Sequence, residues 1–573
     1  MPPSFDLTDR PWIGVLRCDG TQDELSLRQV FAQVDDLRRV VGDLATQEFA
    51  LVRLLLAVAH DALDGPRNTE DWADLWSDPD CFVPVEAYLD THRGHFDLLH
   101  PDLPFLQAAG LRTAKDEVFS LNRIVADVPV GEPFFSARMP DVERLTLAEA
   151  ARWVVHVHAY DTSGIKTGMV GDDRVKSGKV YPLGTGWAGG LGGVFVEGDT
   201  LRETLLLNLV AADTEELGFS PDDRPAWRRE PCGPGSDGRS ATGLRDLYTW
   251  QSRRVRLHHD ADGVHGVVLG YGDPLVWRNM HRCEPMTAWR RSPAQEKKLG
   301  QSPVYLPLEH DPARSAWRGI AALLADRLEE TGGAEGPSRL RPRILEWVAR
   351  LVTEGHLPRR SLVRARVVGV RYGTQQSVID EVVDDRLVMP VALLHRQDPT
   401  YARQAIAAAE DADRAVRVLG DLAADLARAA GAEEEGPKSA ARAEGFDALD
   451  HPYRNWLSAI AEASDPFEHR HVWQRQVRET VGRLGDRLIA AAGDAAWEGR
   501  IQTDTKGRTH WLNAGLADVW FRGRLTRALG DPGSPGSGDS NGGTAPADDG
   551  PPGPGPTGLP ETDHAATDPE VHA

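Results

Sequence analysis

Two groups of residues in the sequence carry side chains that bind metal ions. The first is His156-Val157-His158, and the second surrounds a turn and consists of His258, His259, Asp260, Asp262 and His265. Residues two apart on a strand share a face, so the imidazole and carboxylate ligands of either group could converge on one ion. The second group also contains aspartates that turn geometry favours by itself. A metal-dependent hydrolase that uses residues 258–265 is therefore one alternative, and a purely structural hairpin tip is the other.

The other candidate nucleophiles do not form a catalytic set. We find no Ser/His/Asp or Cys/His signature in the sequence. The four cysteines include no C-x2-C pair, which argues against a disulfide framework and a Cys-based zinc site; they are Cys18, Cys81, Cys232 and Cys283. We therefore predict that the protein is not an enzyme and has no catalytic residue, bound metal or cofactor.

A glycine-rich stretch runs from Gly184 to Gly193, where six of ten residues are glycine. Its beginning, Gly184-Thr-Gly186-Trp-Ala-Gly189, matches G-x-G-x-x-G, but the strand-like Val194-Phe-Val196 follows it instead of a helix. A dinucleotide site needs that helix, because its N-terminus holds the pyrophosphate. The stretch predicts either a loop whose backbone approaches a phosphate or a groove, or an irregular loop.

An arginine-rich stretch precedes two adjacent glutamines. Residues 339–371 contain nine arginines and two glutamates, a local charge of +7 in a chain whose net charge is −22. The sequence then continues Tyr372-Gly373-Thr374-Gln375-Gln376, which predicts a strand that enters a turn and presents both amides. Side-chain amides can donate to and accept from base edges. Nucleic-acid contact is one interpretation, and solvated helix and strand faces are the alternative.

The composition is that of an acidic globular chain. It has 573 residues, with 65 Lys and Arg against 87 Asp and Glu, and 41% of the residues are hydrophobic. No apolar run approaches the roughly 18 residues of a membrane span, and the first residues resemble no signal peptide, so we expect a cytoplasmic protein. Residues 531–573 contain eight acidic residues and no Lys or Arg, and consist mostly of Gly, Pro, Ser and Asp. This composition predicts a disordered acidic tail.

The elements that must position these side chains fall into two regions. Residues 1–390 mix helical stretches, one of them Leu25–Ala62, with short strands, and predict a large α+β domain. Alternating residues on both sides of Asp260–Gly263 predict a hairpin there. Between residues 391 and 530, apolar residues recur every three or four positions in about four segments, which predicts an antiparallel four-helix bundle.

Four sequence blocks in this order resemble the CasA family, the large subunits of the type I-E CRISPR surveillance complex called Cascade. They are FDLTDRPWIGV, FDLLHPDLPFLQ, LRETLLLNLV and GVRYGTQQSVIDE, which begin at Phe5, Phe96, Leu201 and Gly369. The similarity extends to about residue 530 and excludes the tail. The family's architecture, a large α+β domain followed by a four-helix bundle, agrees with the periodicity.

The resemblance implies a non-catalytic subunit of an RNA-guided antiviral complex. Such a subunit recognises the protospacer-adjacent motif in duplex DNA, helps to open the duplex and recruits a nuclease-helicase. The expected partners are the other Cascade subunits, the 5′ handle of the guide RNA, duplex target DNA and the nuclease-helicase. A helical scaffold without a nucleic-acid role remains a further alternative.

The resemblance also suggests site residues. The family's strand-separating wedge matches Gln375 and Gln376, and its loop that docks on the RNA handle matches Phe135, Ser136, Ala137 and Arg138. For the glycine loop that reads the motif from the minor groove, the candidates are Gly171, Gly178, Gly184 and Gly186. The family's lysine finger corresponds to Arg290 and Arg291, with Lys297 and Lys298 next in line.

Overall fold

A computed structural model describes eight segments of the chain, which are residues 3–126, 142–214, 217–218, 220–324, 337–395, 399–463, 465–503 and 507–530. The chain divides after residue 396 into two compact units, here called the N-terminal unit and the C-terminal unit. The predicted boundaries at 390 and 530 stay predictions. The predicted tail, 531–573, lies outside the described residues.

Ten α-helices are described in the N-terminal unit. They are α1 (Leu27–Ala32), α2 (Ala45–Leu63), α3 (Thr69–Ser77), α4 (Pro84–His92), α5 (Leu147–Tyr160), α6 (Leu201–Leu207), α7 (Leu244–Tyr248), α8 (Pro293–Leu299), α9 (Ile320–Leu324) and α10 (Arg343–Thr353). Its described strands are β1 (Ile13–Arg17), β2 (Gln22–Leu25), β3 (Leu37–Val41), β4 (Lys166–Thr167), β5 (Lys179–Val180), β6 (Gly193–Glu197), β7 (Arg253–Asp260), β8 (Gly263–Tyr271), β9 (Trp289–Arg291), β10 (Tyr305–Pro307), β11 (Arg339–Leu340), β12 (Leu362–Tyr372) and β13 (Ile379–Pro390).

The strands form several small antiparallel sheets. Three sheets have three strands, in the orders β2-β1-β3, β10-β9-β11 and β13-β12-β6, and two hairpins pair β4 with β5 and β7 with β8. The predicted hairpin is confirmed, because β7 ends at Asp260 and β8 begins at Gly263. The continuous helix expected over Leu25–Ala62 is wrong. Strand β3, with its two valines, interrupts it and pairs with β1.

Helix α2 lies in the core of the N-terminal unit. Every residue from Thr46 to Asp61 is buried, as expected for a helix whose apolar residues surround the axis. The one arginine among them, Arg53, forms a fully buried bidentate ion pair with Glu284, at 2.6 and 3.0 Å. Its guanidinium also lies 4.1 Å from the ring centroid of Tyr248. A charge is tolerated in this core because it is paired and hydrogen-bonded.

The C-terminal unit is helical. It contains α11 (Thr400–Ala430), α12 (Glu435–Ala459), α13 (Pro466–Ala490), α14 (Asp494–Glu498) and α15 (Ala514–Leu529), with a hairpin of β14 (Arg500–Thr503) and β15 (Thr509–Leu512) before the last helix. Helix α11 packs against each of the other helices of the unit, burying residues such as Ala412, Val416 and Leu419. The α+β fold with a C-terminal helical bundle is therefore confirmed. The sequence periodicity did not predict the β14–β15 hairpin.

Candidate nucleic-acid interface

The two adjacent glutamines lie in the turn between β12 and β13. Strand β12 is the central strand of its sheet; β6 pairs with it from Arg364 to Val368, and β13 pairs with it up to Tyr372, beside the turn. We call residues 373–378 the glutamine turn. The Gly373 N–H donates to the Val378 carbonyl at 3.0 Å, and the Gln376 N–H donates to the Gly373 carbonyl at 2.9 Å. These bonds close a tight loop at the end of a long hairpin.

Both glutamines have a left-handed backbone conformation. The φ angle is 56° at Gln375 and 54° at Gln376, which are values that glycine or asparagine adopts more easily. Each such residue costs about 1–2 kcal/mol. Strain of this kind persists only where the surroundings enforce it, and it concentrates at functional sites. Here the Ser163 N–H donates to the Gln376 carbonyl at 2.8 Å and ties the turn to a neighbouring segment.

The glutamine side chains are free to bind a partner. Gln375 is exposed and Gln376 is half-buried. Across the described segments, neither side-chain amide makes a hydrogen bond. The turn therefore presents two amides that bond to no described residue from a backbone held by hydrogen bonds.

Part of the glycine-rich stretch packs against the end of α5 and against Tyr372 of this hairpin. The Tyr372 hydroxyl donates to the Tyr160 carbonyl at the end of α5, at 2.8 Å. A Cβ on Gly189 would collide with the Tyr372 hydroxyl, and one on Gly186 would lie 2.5 Å from the Ala159 carbonyl oxygen. The Gly186 N–H donates to the Asp161 carbonyl at 2.7 Å and so caps α5. These two glycines are explained by close packing.

The other glycine-loop candidates differ in exposure. Gly171 and Gly178 are exposed and have φ angles of 91° and 76°, whereas Gly184 is half-buried with a φ of 103°. Gly178 directly precedes β5, in the turn between Lys176 and Lys179, and a Cβ there would meet nothing within 4 Å. The Gly184 carbonyl accepts a bond from Arg253 at 2.9 Å. Gly178 is therefore the candidate whose backbone is most open to a partner.

The two finger candidates are adjacent in β9 but have different surroundings. Arg291 forms a bidentate ion pair with Glu296 at 2.6 and 2.8 Å, and hydrogen bonding to Arg291 lowers the pKa of Glu296 to about 2. Arg290 is exposed, and no described residue forms a hydrogen bond or ion pair with its side chain. Only Arg290 therefore has a guanidinium available for DNA.

Arg290 also lies opposite a second free arginine. In the β9–β11 register it pairs with Arg339, which is likewise exposed and without an ion pair among the described residues. Like charges directly opposite each other on neighbouring strands are destabilising. The charge of Arg290 also acts on Glu309, where it opposes the rise in pKa that burial causes. Sequence alone did not indicate Arg339 as a site residue, because nothing local reveals its cross-strand neighbour.

Most of the arginine-rich stretch is neutralised inside the protein. Six of its nine arginines form ion pairs, namely Arg341, Arg343, Arg350, Arg364, Arg366 and Arg371. Arg366, for example, is buried and contacts Glu48 and Asp384. The local sequence charge of +7 therefore does not produce a surface patch of that charge.

The histidine groups do not form metal sites. His156 and His158 lie on helix α5, not on a strand, so they do not share a face. Burial lowers their pKa values to about 3 and about 4, and each ring nitrogen Nε2 is bonded, to the Thr46 hydroxyl at 3.0 Å and to the Leu106 carbonyl at 2.8 Å.

At the hairpin tip, Arg144 binds the Asp260 carboxylate at 2.6 and 2.8 Å. Within the described segments, the only His, Cys, Asp or Glu group with converging ligand atoms is Glu70, Glu354 and His356, far from residues 258–265 in sequence. The hydrolase alternative therefore lacks an assembled metal site there.

Two further sequence predictions concern other parts of the chain. The docking-loop candidates Phe135, Ser136, Ala137 and Arg138 lie outside the described residues. No described helix is both long and apolar enough to cross a membrane.

Comparisons with known proteins identify the family. Residues 6–484 match the family model of the CRISPR-associated protein Cse1. The crystal structure of Thermobifida fusca Cse1 is similar with a TM-score of 0.85 and 56% identity, covering 92% of this chain and 98% of that one. Cse1 from Acidimicrobium ferrooxidans gives a TM-score of 0.77 at 32% identity, with coverages of 92% and 98%.

A curated relative, the CRISPR-associated protein CasA/Cse1 of Thermus thermophilus, is 32% identical over 330 residues. That alignment covers 56% of this chain and 60% of the relative. The family model spans most of the chain and includes the glutamine turn, Arg290 and the glycine-rich stretch. The chain therefore belongs to the Cse1 family of CRISPR-associated proteins, also named CasA.

Proposed function

We propose that this protein is the non-catalytic large subunit of a type I-E Cascade complex. It recognises the protospacer-adjacent motif in duplex DNA, helps to open the duplex beside it and recruits a nuclease-helicase to the opened target. Its partners are the other Cascade subunits and the guide RNA. The observation that carries the proposal is the glutamine turn, in which two free amides project from a strained and anchored backbone.

The physics of strand opening suits such a turn. The guide heteroduplex replaces the lost DNA pairs, so opening is nearly balanced and roughly 1.4 kcal/mol per base step must be covered transiently. A turn already held in its binding conformation loses little entropy when it contacts DNA. Two amides that bond to the separated bases can offset a cost of that size.

Motif recognition is assigned to the exposed cations and glycines. Minor-groove edges of A·T and T·A pairs are nearly alike, so a backbone glycine and a cationic side chain read a short motif permissively. Arg290, with Arg339 beside it, and Gly178 are the candidates whose groups are accessible. Most of the phosphate affinity would come from the guide RNA and the sister subunits, because this chain is acidic.

The test is the double variant Gln375→Ala/Gln376→Ala in the reconstituted complex. Alanine retains the Cβ and therefore the backbone strain, so stability should change by only about 0.5 kcal/mol. Motif-dependent association should persist while guide-DNA pairing slows. A target whose first pairs are mismatched should restore the rate, because its opening cost is absent.

A matched control lies in the same turn. The Thr374 side chain is exposed and forms no hydrogen bond with any described residue, so Thr374→Ala changes the turn but leaves both amides. This variant should pair at the normal rate. If the glutamine double variant is equally slow on mismatched and fully paired targets, the turn is not a wedge and has a structural role.

A further inference from the structure

A cavity of about 320 Å³ lies in the N-terminal unit and borders the glutamine turn. Its walls come from residues 122–126, from the end of α5 with the segment to Lys166, from Leu269, and from residues 377–379 of the turn and β13. This volume is at the lower end of the roughly 300–1,000 Å³ of pockets that hold small organic molecules. The cavity is therefore large enough for a group the size of one nucleotide.

One part of the wall is apolar. It is formed by Ile124, Val125, Ile165, Leu269 and Val378. Ile165 is 56% exposed and Val378 is half-buried, whereas Ile124, Val125 and Leu269 are buried, so Ile165 is the open part of this apolar wall. Pockets that receive an unstacked base use apolar or aromatic walls of this kind against its faces.

Another part of the wall contains the ion pair of Lys166 and Asp161. The Asp161 carboxylate contacts Lys166 Nζ at 2.6 Å and also binds Arg253. Lys166 is buried, and among the described residues Asp161 is its only ion-pair or hydrogen-bond partner, although an ammonium has three donors. Burial lowers the pKa of Lys166 even though Asp161 opposes the shift.

The lining therefore has two cations, Lys166 and Arg123, and one anion, Asp161. Burying a charge without full compensation is unfavourable, and a bound anionic group would supply what Lys166 lacks. Arg123 adds an exposed cation at the edge of the cavity, with its guanidinium 3.5 Å from the centroid of the Phe119 ring. An apolar wall beside a cationic one fits a nucleotide, which joins a flat base to a phosphate.

We propose that this cavity, the nucleotide pocket, holds one unpaired DNA nucleotide released beside the glutamine turn. The base lies against the apolar wall, and the phosphate is bound by Lys166 and Arg123. The inference rests on the proposed function, because residues 377–379 connect the pocket to the turn that separates the strands. It adds a site that retains a separated nucleotide and so opposes reannealing.

The test uses 2-aminopurine in the assembled complex. The fluorescent base is placed at the first opened position of either DNA strand, in a target with mismatched first pairs, and its access to acrylamide is measured. With the unmodified chain, one of the two positions should be protected from the quencher. Because the target is already open, this readout does not depend on the glutamines.

Two variants address the two walls. Lys166→Met removes the ammonium and leaves Asp161 paired with Arg253. Ile165→Asp places a repelling charge at a position that is 56% exposed, where substitutions usually change stability little. Either change should raise the quenching constant several-fold. Lys115→Met removes the same charge at an exposed lysine outside the pocket lining and should leave protection unchanged.

The possible results of this experiment distinguish the proposal from its alternatives. Absence of protection with the unmodified chain, or equal protection in Lys166→Met and Lys115→Met, overturns the pocket. Protection of 2-aminopurine only when it is placed in the 5′ handle of the guide overturns the assignment to DNA. If the Gln375→Ala/Gln376→Ala variant pairs slowly with fully paired DNA but still protects 2-aminopurine in the mismatched target, the pocket acts independently of the wedge. Failure of the proposed function alone would therefore leave protection on the mismatched target intact.

Discussion

Arg290 and Arg291 are neighbours in sequence, yet their guanidinium groups have opposite surroundings. We expect Arg290→Ala to keep the thermal unfolding midpoint and to weaken capture of targets with every permitted motif, because the contact is cationic and the minor groove discriminates little. Arg291→Ala should instead lower the midpoint, since it leaves Glu296 without its partner. Calorimetry and target capture by the full complex separate the two. If Arg291→Ala weakens capture more than Arg290→Ala at equal stability, the finger is Arg291.

At the scale of elements, the hairpin of β12 and β13 depends on glycines in a different part of the chain. Gly186→Ala places a Cβ against the backbone of α5, which cannot move without disturbing the Tyr372–Tyr160 bond. Overpacking of this kind costs typically 1–3 kcal/mol. We therefore expect a lower unfolding midpoint and slower strand opening.

The control for this variant lies four residues away. A Cβ on Gly190 would meet no atom nearer than 3.6 Å, which is ordinary contact with Trp277. Gly190→Ala should be tolerated in both assays. Equal damage from the two substitutions would mean that flexibility of the stretch, and not its close approach to α5, requires glycine.

At the scale of the whole molecule, buried histidines make stability dependent on pH. Burial lowers the pKa to about 3 for His60 and His156 and to about 4 for His158. Unfolded histidine has a pKa near 6.5, so the unfolded chain binds protons that the folded chain does not as the pH falls below that value. Stability should be complete above about pH 6.5 and decline toward pH 4.

The expected loss at pH 5 has an upper limit of about 2 kcal/mol for each of these histidines. Thermal unfolding followed by circular dichroism at pH 7.5 and 5 measures it. His156→Gln should lose less stability on acidification than the unmodified chain, and His259→Gln, at the hairpin tip, should lose as much. An identical loss in all three proteins would exclude His156 as a contributor.

The net charge predicts the affinity of the isolated chain for DNA. At −22 it should bind duplex DNA weakly, because its charge repels phosphates. Because the sequence contains no recognisable catalytic set, we also expect no nuclease activity with added divalent metal. Removal of residues 531–573 takes away eight acidic residues and leaves −14, so affinity at low salt should rise modestly. Fluorescence anisotropy at two salt concentrations checks this. Tight, salt-sensitive binding by the intact chain would contradict the account.

The sequence alone determined the features that depend on near neighbours. The 3.6-residue period predicted the long helices of the C-terminal unit, and the alternation around Asp260–Gly263 predicted the β7–β8 hairpin, because each pattern reports one face over a few turns or residues. The glutamine turn was predicted in the same way, from a strand that runs into Gly373.

Only the tertiary structure decided which of the charged residues are available. Arg366 is neutralised by Glu48, which is 318 positions away in sequence, and Arg290 faces Arg339 only through the β9–β11 register. The nucleotide pocket likewise joins residues near 123, 165, 269 and 378. Ion pairing, strand register and cavities arise from contacts between distant segments, and a local sequence pattern carries no record of which distant segment will lie opposite.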